Sequence, residues 1–197
     1  MRKLTTLTLL VGLIVVMSGT VNAGIWTFTP DPADFFDLDH RWAYTWGMEW
    51  AQYEEVTEVT LTFKNIQDYV VEPNDILYMR LFDDAPLGVT QYWDDQETGD
   101  YFEGQGVFVD SWTDPLGYPN PPTDLSISFS SLGLIDEFNA AAADGLWGLS
   151  FDPDCHYYNS GIEIQVETAD AIPEPASLSL MLLGMGMISF RFLKRKK

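Results

Sequence analysis

The chain has 197 residues, 46% of them hydrophobic and 14% aromatic, with 30 acidic against 10 basic side chains and a formal charge of −20. A surface of that sign repels nucleic acid and anionic lipid, which excludes polynucleotide binding, and it attracts cations. A single cysteine rules out an internal disulfide framework, and the length suits one domain that buries its own core.

At the N-terminus, Met1-Arg2-Lys3 is a short basic region and Leu4 to Met17 is an apolar stretch. Val21-Asn22-Ala23 then offers small residues flanking a cleavage point. The pattern predicts a signal peptide over 1–23, cut between Ala23 and Gly24. The predicted ectodomain spans 24–172. There Arg41, Lys64 and Arg80 face 29 acids, a formal charge of −26. Such a surface serves solubility, or it recruits calcium, a hard cation that prefers carboxylate oxygen.

Period-two patterns dominate the ectodomain. Trp42, Tyr44, Trp46, Met48 and Trp50 alternate with smaller or polar residues, as do Val59, Leu61 and Phe63, then Leu125, Ile127 and Phe129, then Ile162, Ile164 and Val166. Each run predicts a strand with one buried face. Ile76 to Phe82 is apolar on both faces except at Arg80 and predicts a central strand; 89–93, 107–112 and 146–151 are further strands. One short helix is expected over 132–143, with Gly145 just past its end. Many short strands without βαβ alternation predict an all-β fold, an antiparallel β-sandwich of jelly-roll-like form.

Two places carry candidate chemistry. The stripe Trp42, Tyr44, Trp46 and Trp50 would be a stacking platform for sugar rings if exposed, or sandwich core if buried. The segment 152–161 follows one strand and precedes another. It brings Asp152, Asp154 and Asn159 together as calcium ligands, or else forms a plain hairpin whose aspartates cap backbone amides. It lacks the glycine and terminal glutamate of an EF-hand. Cys155 within it reads as a small buried residue, with an intermolecular disulfide as the other use.

The C-terminus has three ordered parts: Pro173-Glu174-Pro175, an apolar run from Ala176 to Phe190, and a basic tail from Arg191 to Lys197. The prolines keep the entry extended. The run is 15 residues before Arg191, short for a permanent span of about 20, and the basic tail favours the cytoplasmic side. An ordinary tail anchor is one reading. The order also resembles the PEP-CTERM sorting signal of Gram-negative envelope proteins. That resemblance implies a sorting signal over 173–197, made of the Pro-Glu-Pro entry, an apolar helix and the basic tail, and recognition by an exosortase. It further implies transient inner-membrane anchoring, and then passage to the outer surface or to an extracellular matrix associated with exopolysaccharide and biofilm. A secreted hydrolase is the remaining class. With so many acids, carboxylate pairs arise by composition alone, and neither a Gly-x-Ser-x-Gly elbow nor a His-Glu-x-x-His helix is present. The expectation is a non-catalytic chain that needs no cofactor unless calcium binds.

Overall fold

The computed structural model describes residues 24–50, 55–94 and 98–169. The expected signal peptide with its Ala23/Gly24 junction lies at or beyond one edge of these residues. The Pro173, Glu174, Pro175 entry and the sorting helix lie outside them. Ten strands form: β1 (Ile25–Phe28), β2 (Trp42–Glu49), β3 (Val56–Asp68), β4 (Leu77–Phe82), β5 (Gly88–Trp93), β6 (Val107–Trp112), β7 (Thr123–Ser128), β8 (Leu146–Pro153), β9 (Tyr157–Tyr158) and β10 (Gly161–Thr168). Two short helices, α1 (Phe129–Leu132) and α2 (Ile135–Ala141), sit between β7 and β8.

The strands pair antiparallel in two sheets. One runs β1-β10-β3-β7, with β9 added at the end of β3, and the other runs β5-β2-β8-β4-β6. With β5 and β9 set aside, β1 pairs β10, β2 pairs β8, β3 pairs β7 and β4 pairs β6. First strand beside last, second beside next-to-last, is the nested order of a jelly roll. The sandwich is therefore the predicted one.

The core lies between the sheets. β2 contributes Tyr44, Trp46 and Met48, β3 contributes Val59, Leu61 and Phe63, β8 contributes Trp147, Leu149 and Phe151, and β10 contributes Ile162, Ile164 and Val166. Every second residue faces inward, as a pleated strand requires. Phe35 plugs one end, with its ring 5.0 Å from Phe151 and 5.9 Å from both Tyr44 and Trp46. Its backbone makes this unusual: Phe35, Phe36, Asp37 and Leu38 all have positive φ, between 45° and 58°. A left-handed turn of four non-glycine residues costs about 1–2 kcal/mol per residue. Complete burial of Phe35 and Leu38 offsets it.

Three details depart from the sequence expectation. Phe129 begins a helical turn rather than ending β7, because the Ser128 side chain accepts the Ser131 N–H and caps that turn. The predicted helix is shortened to α2, and β1 forms without an alternating pattern, with three of its four residues exposed.

A buried carboxylate cluster under a surface strap

β8 sends Trp147, Leu149 and Phe151 into the core, so Ser150 and Asp152 point to the sheet's outer face, where Asp152 lies opposite Tyr78 of β4. Asp152 is nevertheless only 1% exposed. The cover is the β5–β6 connection, whose residues 98–106 lie over this face as a strap.

Apolar packing and polar ties both hold the strap. Phe102 packs against Phe82 (5.6 Å between ring centroids) and Tyr92 (5.8 Å). Arg80 Nε donates to Asp100 Oδ2 at 2.6 Å, its Nη1 donates to the Gln105 carbonyl at 3.0 Å, and its guanidinium sits over Phe108. The strap backbone then bonds the two aspartates at the end of β8: Tyr101 N–H donates to Asp152 Oδ2 at 2.6 Å, and Gly99 N–H donates to Asp154 Oδ1 at 3.1 Å. The second oxygens, Asp152 Oδ1 and Asp154 Oδ2, are buried with no hydrogen-bond donor among the described residues.

Burial pushes Asp152 up to about 7; the Tyr101 N–H opposes this, and the charges of Asp94, Asp154 and Asp100 add to it. Burial likewise raises Asp154 to about 6, with Asp94, Asp75 and Asp100 contributing. Asp94, Asp152 and Asp154 thus crowd with Asp100 of the strap itself, with one guanidinium, that of Arg80, among them. Oxygen donors of this kind suit calcium, which takes 6–8 oxygens.

The structure brings Asp152 and Asp154 together but takes Asn159 elsewhere. The chain turns after Asp154 so that β9 can pair β3. Asn159 Nδ2 donates to the Asp34 carbonyl at 2.9 Å, and its Oδ1 accepts the Gly161 N–H at 3.0 Å. Both ends of that amide are used, and its predicted place in the cluster falls instead to Asp94 and Asp100. No local pattern marks those two, because the β5–β6 connection carries them to the site only once the sheet has formed.

The aromatic stripe takes the core alternative of the two the sequence offered. Trp46 is 3% exposed, Tyr44 and Trp50 are buried beside it, and Trp42 packs half-buried against Trp93 at 4.9 Å. These four rings face the inter-sheet core because the alternation turns them inward, and they offer no platform to sugar. The rings left in solvent near the carboxylates are Trp93, 55% exposed and adjacent to Asp94, and Tyr101, 41% exposed and on the strap. Cys155 is buried, as the sequence implied. His156 has a buried Nε2 without a partner among the described residues, and burial lowers its pKa.

Residues 171–196 match the family model of the PEP-CTERM protein-sorting motif. The chain carries a PEP-CTERM sorting motif. It is thereby marked as an exported protein, sorted to the surface by an exosortase. The match covers the C-terminal segment and leaves the sandwich unassigned, and no curated protein matches the chain. Among the described residues, no helix is long and apolar enough to cross a membrane.

Proposed function

We propose that this PEP-CTERM chain is a non-catalytic component of the cell surface or extracellular matrix of a Gram-negative bacterium, associated with extracellular polysaccharide. Pro173, Glu174 and Pro175 open the segment that the exosortase reads, and the apolar run after them holds the chain in the inner membrane until processing. The observation that carries this reading is the sorting motif placed behind an acidic jelly roll whose buried carboxylates are shut beneath a strap. At 1% exposure, Asp152 is withheld from any substrate. Co-sedimentation of the exported protein with the producing organism's own insoluble exopolysaccharide tests the association. Binding in both calcium and chelator supports it, and absence of binding in both ends it. Changing Pro173-Glu174-Pro175 to alanines should leave unprocessed chain in the inner membrane; continued processing would refute the assigned role of that segment.

A second reading, calcium-assisted carbohydrate binding, is favoured by the donorless Oδ1 of Asp152 and by the exposed rings of Trp93 and Tyr101 beside the cluster. In that mechanism Asp94, Asp152 and Asp154 hold calcium, the ion fixes the strap, and the strap presents Tyr101 to a sugar face. It requires binding only in calcium, lost in Trp93→Ala/Tyr101→Ala. Binding that persists in chelator would remove it.

A further inference from the structure

A second buried cluster lies where the end of β3, the β3–β4 loop and the segment after β8 meet. Asp68, Asp75 and Cys155 are all buried, and one donor atom from each lies within 4.8 Å of the others. Cys155 Sγ is 2.9 Å from Asp68 Oδ1, which also accepts the Val70 N–H at 3.1 Å. The Asp68 backbone N–H is taken by Asp114 Oδ2 at 3.1 Å.

What makes this more than an acidic corner is the rest of the Asp68 carboxylate. The residue is 0% exposed, and its Oδ2 has no hydrogen-bond donor among the described residues. The Tyr157 hydroxyl, which feels the charges of Asp68, Cys155 and Asp75, is also buried without a partner among the described residues. A buried carboxylate with one oxygen left without a donor and no counter-charge beside it costs several kcal/mol, on the order of the desolvation penalty of an ion. Two carboxylates and a thiol therefore share one interior site with no cationic side chain paired to it among the described residues. Either a proton held between Asp68 and Asp75 or a metal ion makes that arrangement tolerable.

We propose that Asp68, Asp75 and Cys155 form a binding site for a borderline-soft divalent cation of the zinc class. The donor set decides the class. Calcium and magnesium seek oxygen alone, whereas one sulfur with two carboxylates matches zinc, whose ligands are thiolate, imidazole and carboxylate. Binding exchanges the thiol proton for the metal: the S–H bond breaks, the proton leaves to solvent, and the thiolate electron pair forms the metal–sulfur bond. Three protein ligands leave a fourth position for water. The ion would tie the end of β3 to the loop holding Asp75 and to the turn after β8. This is a different site from the strap cluster, with different chemistry.

The test uses the full chain, stripped with chelator and titrated with Cd2+ as a spectroscopic stand-in for Zn2+. One equivalent should produce the ultraviolet thiolate-to-cadmium charge-transfer band. The band should vanish in Cys155→Ser, weaken in Asp68→Asn with affinity reduced about tenfold or more, and persist in Asp152→Asn and in excess calcium. Zn2+ should abolish it by competition. Failure of the folded wild-type chain to give the band would overturn the proposal and leave a shared proton between the carboxylates. Retention of the band in Cys155→Ser would overturn it too, as would loss of the band to calcium.

Discussion

Replacing Asp152 by asparagine should stabilise the calcium-free protein at neutral pH, against the usual outcome for a buried residue. Folded, Asp152 keeps its proton up to about 7, whereas its ordinary value is 3.8. Between those values the folded state binds more protons than the unfolded one, so stability falls as pH rises. A displacement of about 3 pKa units corresponds to a ceiling of about 4 kcal/mol at 1.36 kcal/mol per unit. For a chain of this size that is on the order of 10 °C in melting temperature. Asparagine keeps an oxygen for the Tyr101 N–H and carries no charge. In chelator, melts of wild-type protein followed by tryptophan fluorescence should drop from pH 5 to pH 7.5. Those of Asp152→Asn should drop much less, so that the variant melts higher at pH 7.5. Calcium at about 100 times its dissociation constant should return about 2.7 kcal/mol to wild type and little to the variant, narrowing or reversing the order. A variant destabilised equally in chelator and in calcium would show that Asp152 serves only as an acceptor for the strap N–H, and the electrostatic argument would fail.

Other consequences of the fold can be checked by the same melts. Trp46→Ala removes a ring packed against Phe35 and should cost about 3–5 kcal/mol; a loss below about 1 kcal/mol would return that ring to the list of sugar contacts. Gly47→Ala would set a Cβ 2.2 Å from the Pro86 carbonyl oxygen, where the loop before β5 lies flat on β2. It should cost about 1–3 kcal/mol, and a neutral result would mean that the loop lifts freely. Phe36 has φ of 57° and is half exposed, so Phe36→Gly should relieve strain and raise stability by about 0.5–1 kcal/mol. A fall in melting temperature would locate an unseen contact of that ring.

The sandwich was legible because alternation survives in β2, β3, β7, β8 and β10, each with one face in the core. Alternation says that two faces differ, however, and not which one meets solvent. Alternation alone therefore left both core and platform open for the Trp42 to Trp50 stripe, with core the expected one, until the second sheet was in place. The carboxylate sites were legible only in part for a related reason. Asp152 and Asp154 lie close in sequence and could be paired by inspection. Asp94 and Asp100 join them across a strap, and Asp68 meets Cys155 across 87 residues of chain. Nested jelly-roll pairing makes such meetings, and they leave no local pattern. Asn159 was misplaced by the converse error: nearness in sequence counts for little where β9 turns the chain to another sheet. The strained turn 35–38 carries no glycine, so nothing in its composition announces positive φ.

The distribution of positive charge connects these features. The ectodomain has three basic side chains, and each is engaged: Arg41 with Asp39, Lys64 with Glu163 at 2.8 Å, and Arg80 with Asp100 at 2.6 Å. Arg80 alone reaches the strap cluster, and there it is bound to Asp100. No side-chain cation remains to neutralise Asp68, Asp75, Asp152 and Asp154, so that charge must be supplied by the surroundings. Protons supply it in acid, and at neutral pH the cation sites proposed above would supply it. The buried carboxylates therefore make stability depend on pH. If calcium binds as proposed, protons and calcium should both hold the strap more firmly, because the carboxylates that accept its N–H groups are the ones that need the counter-charge.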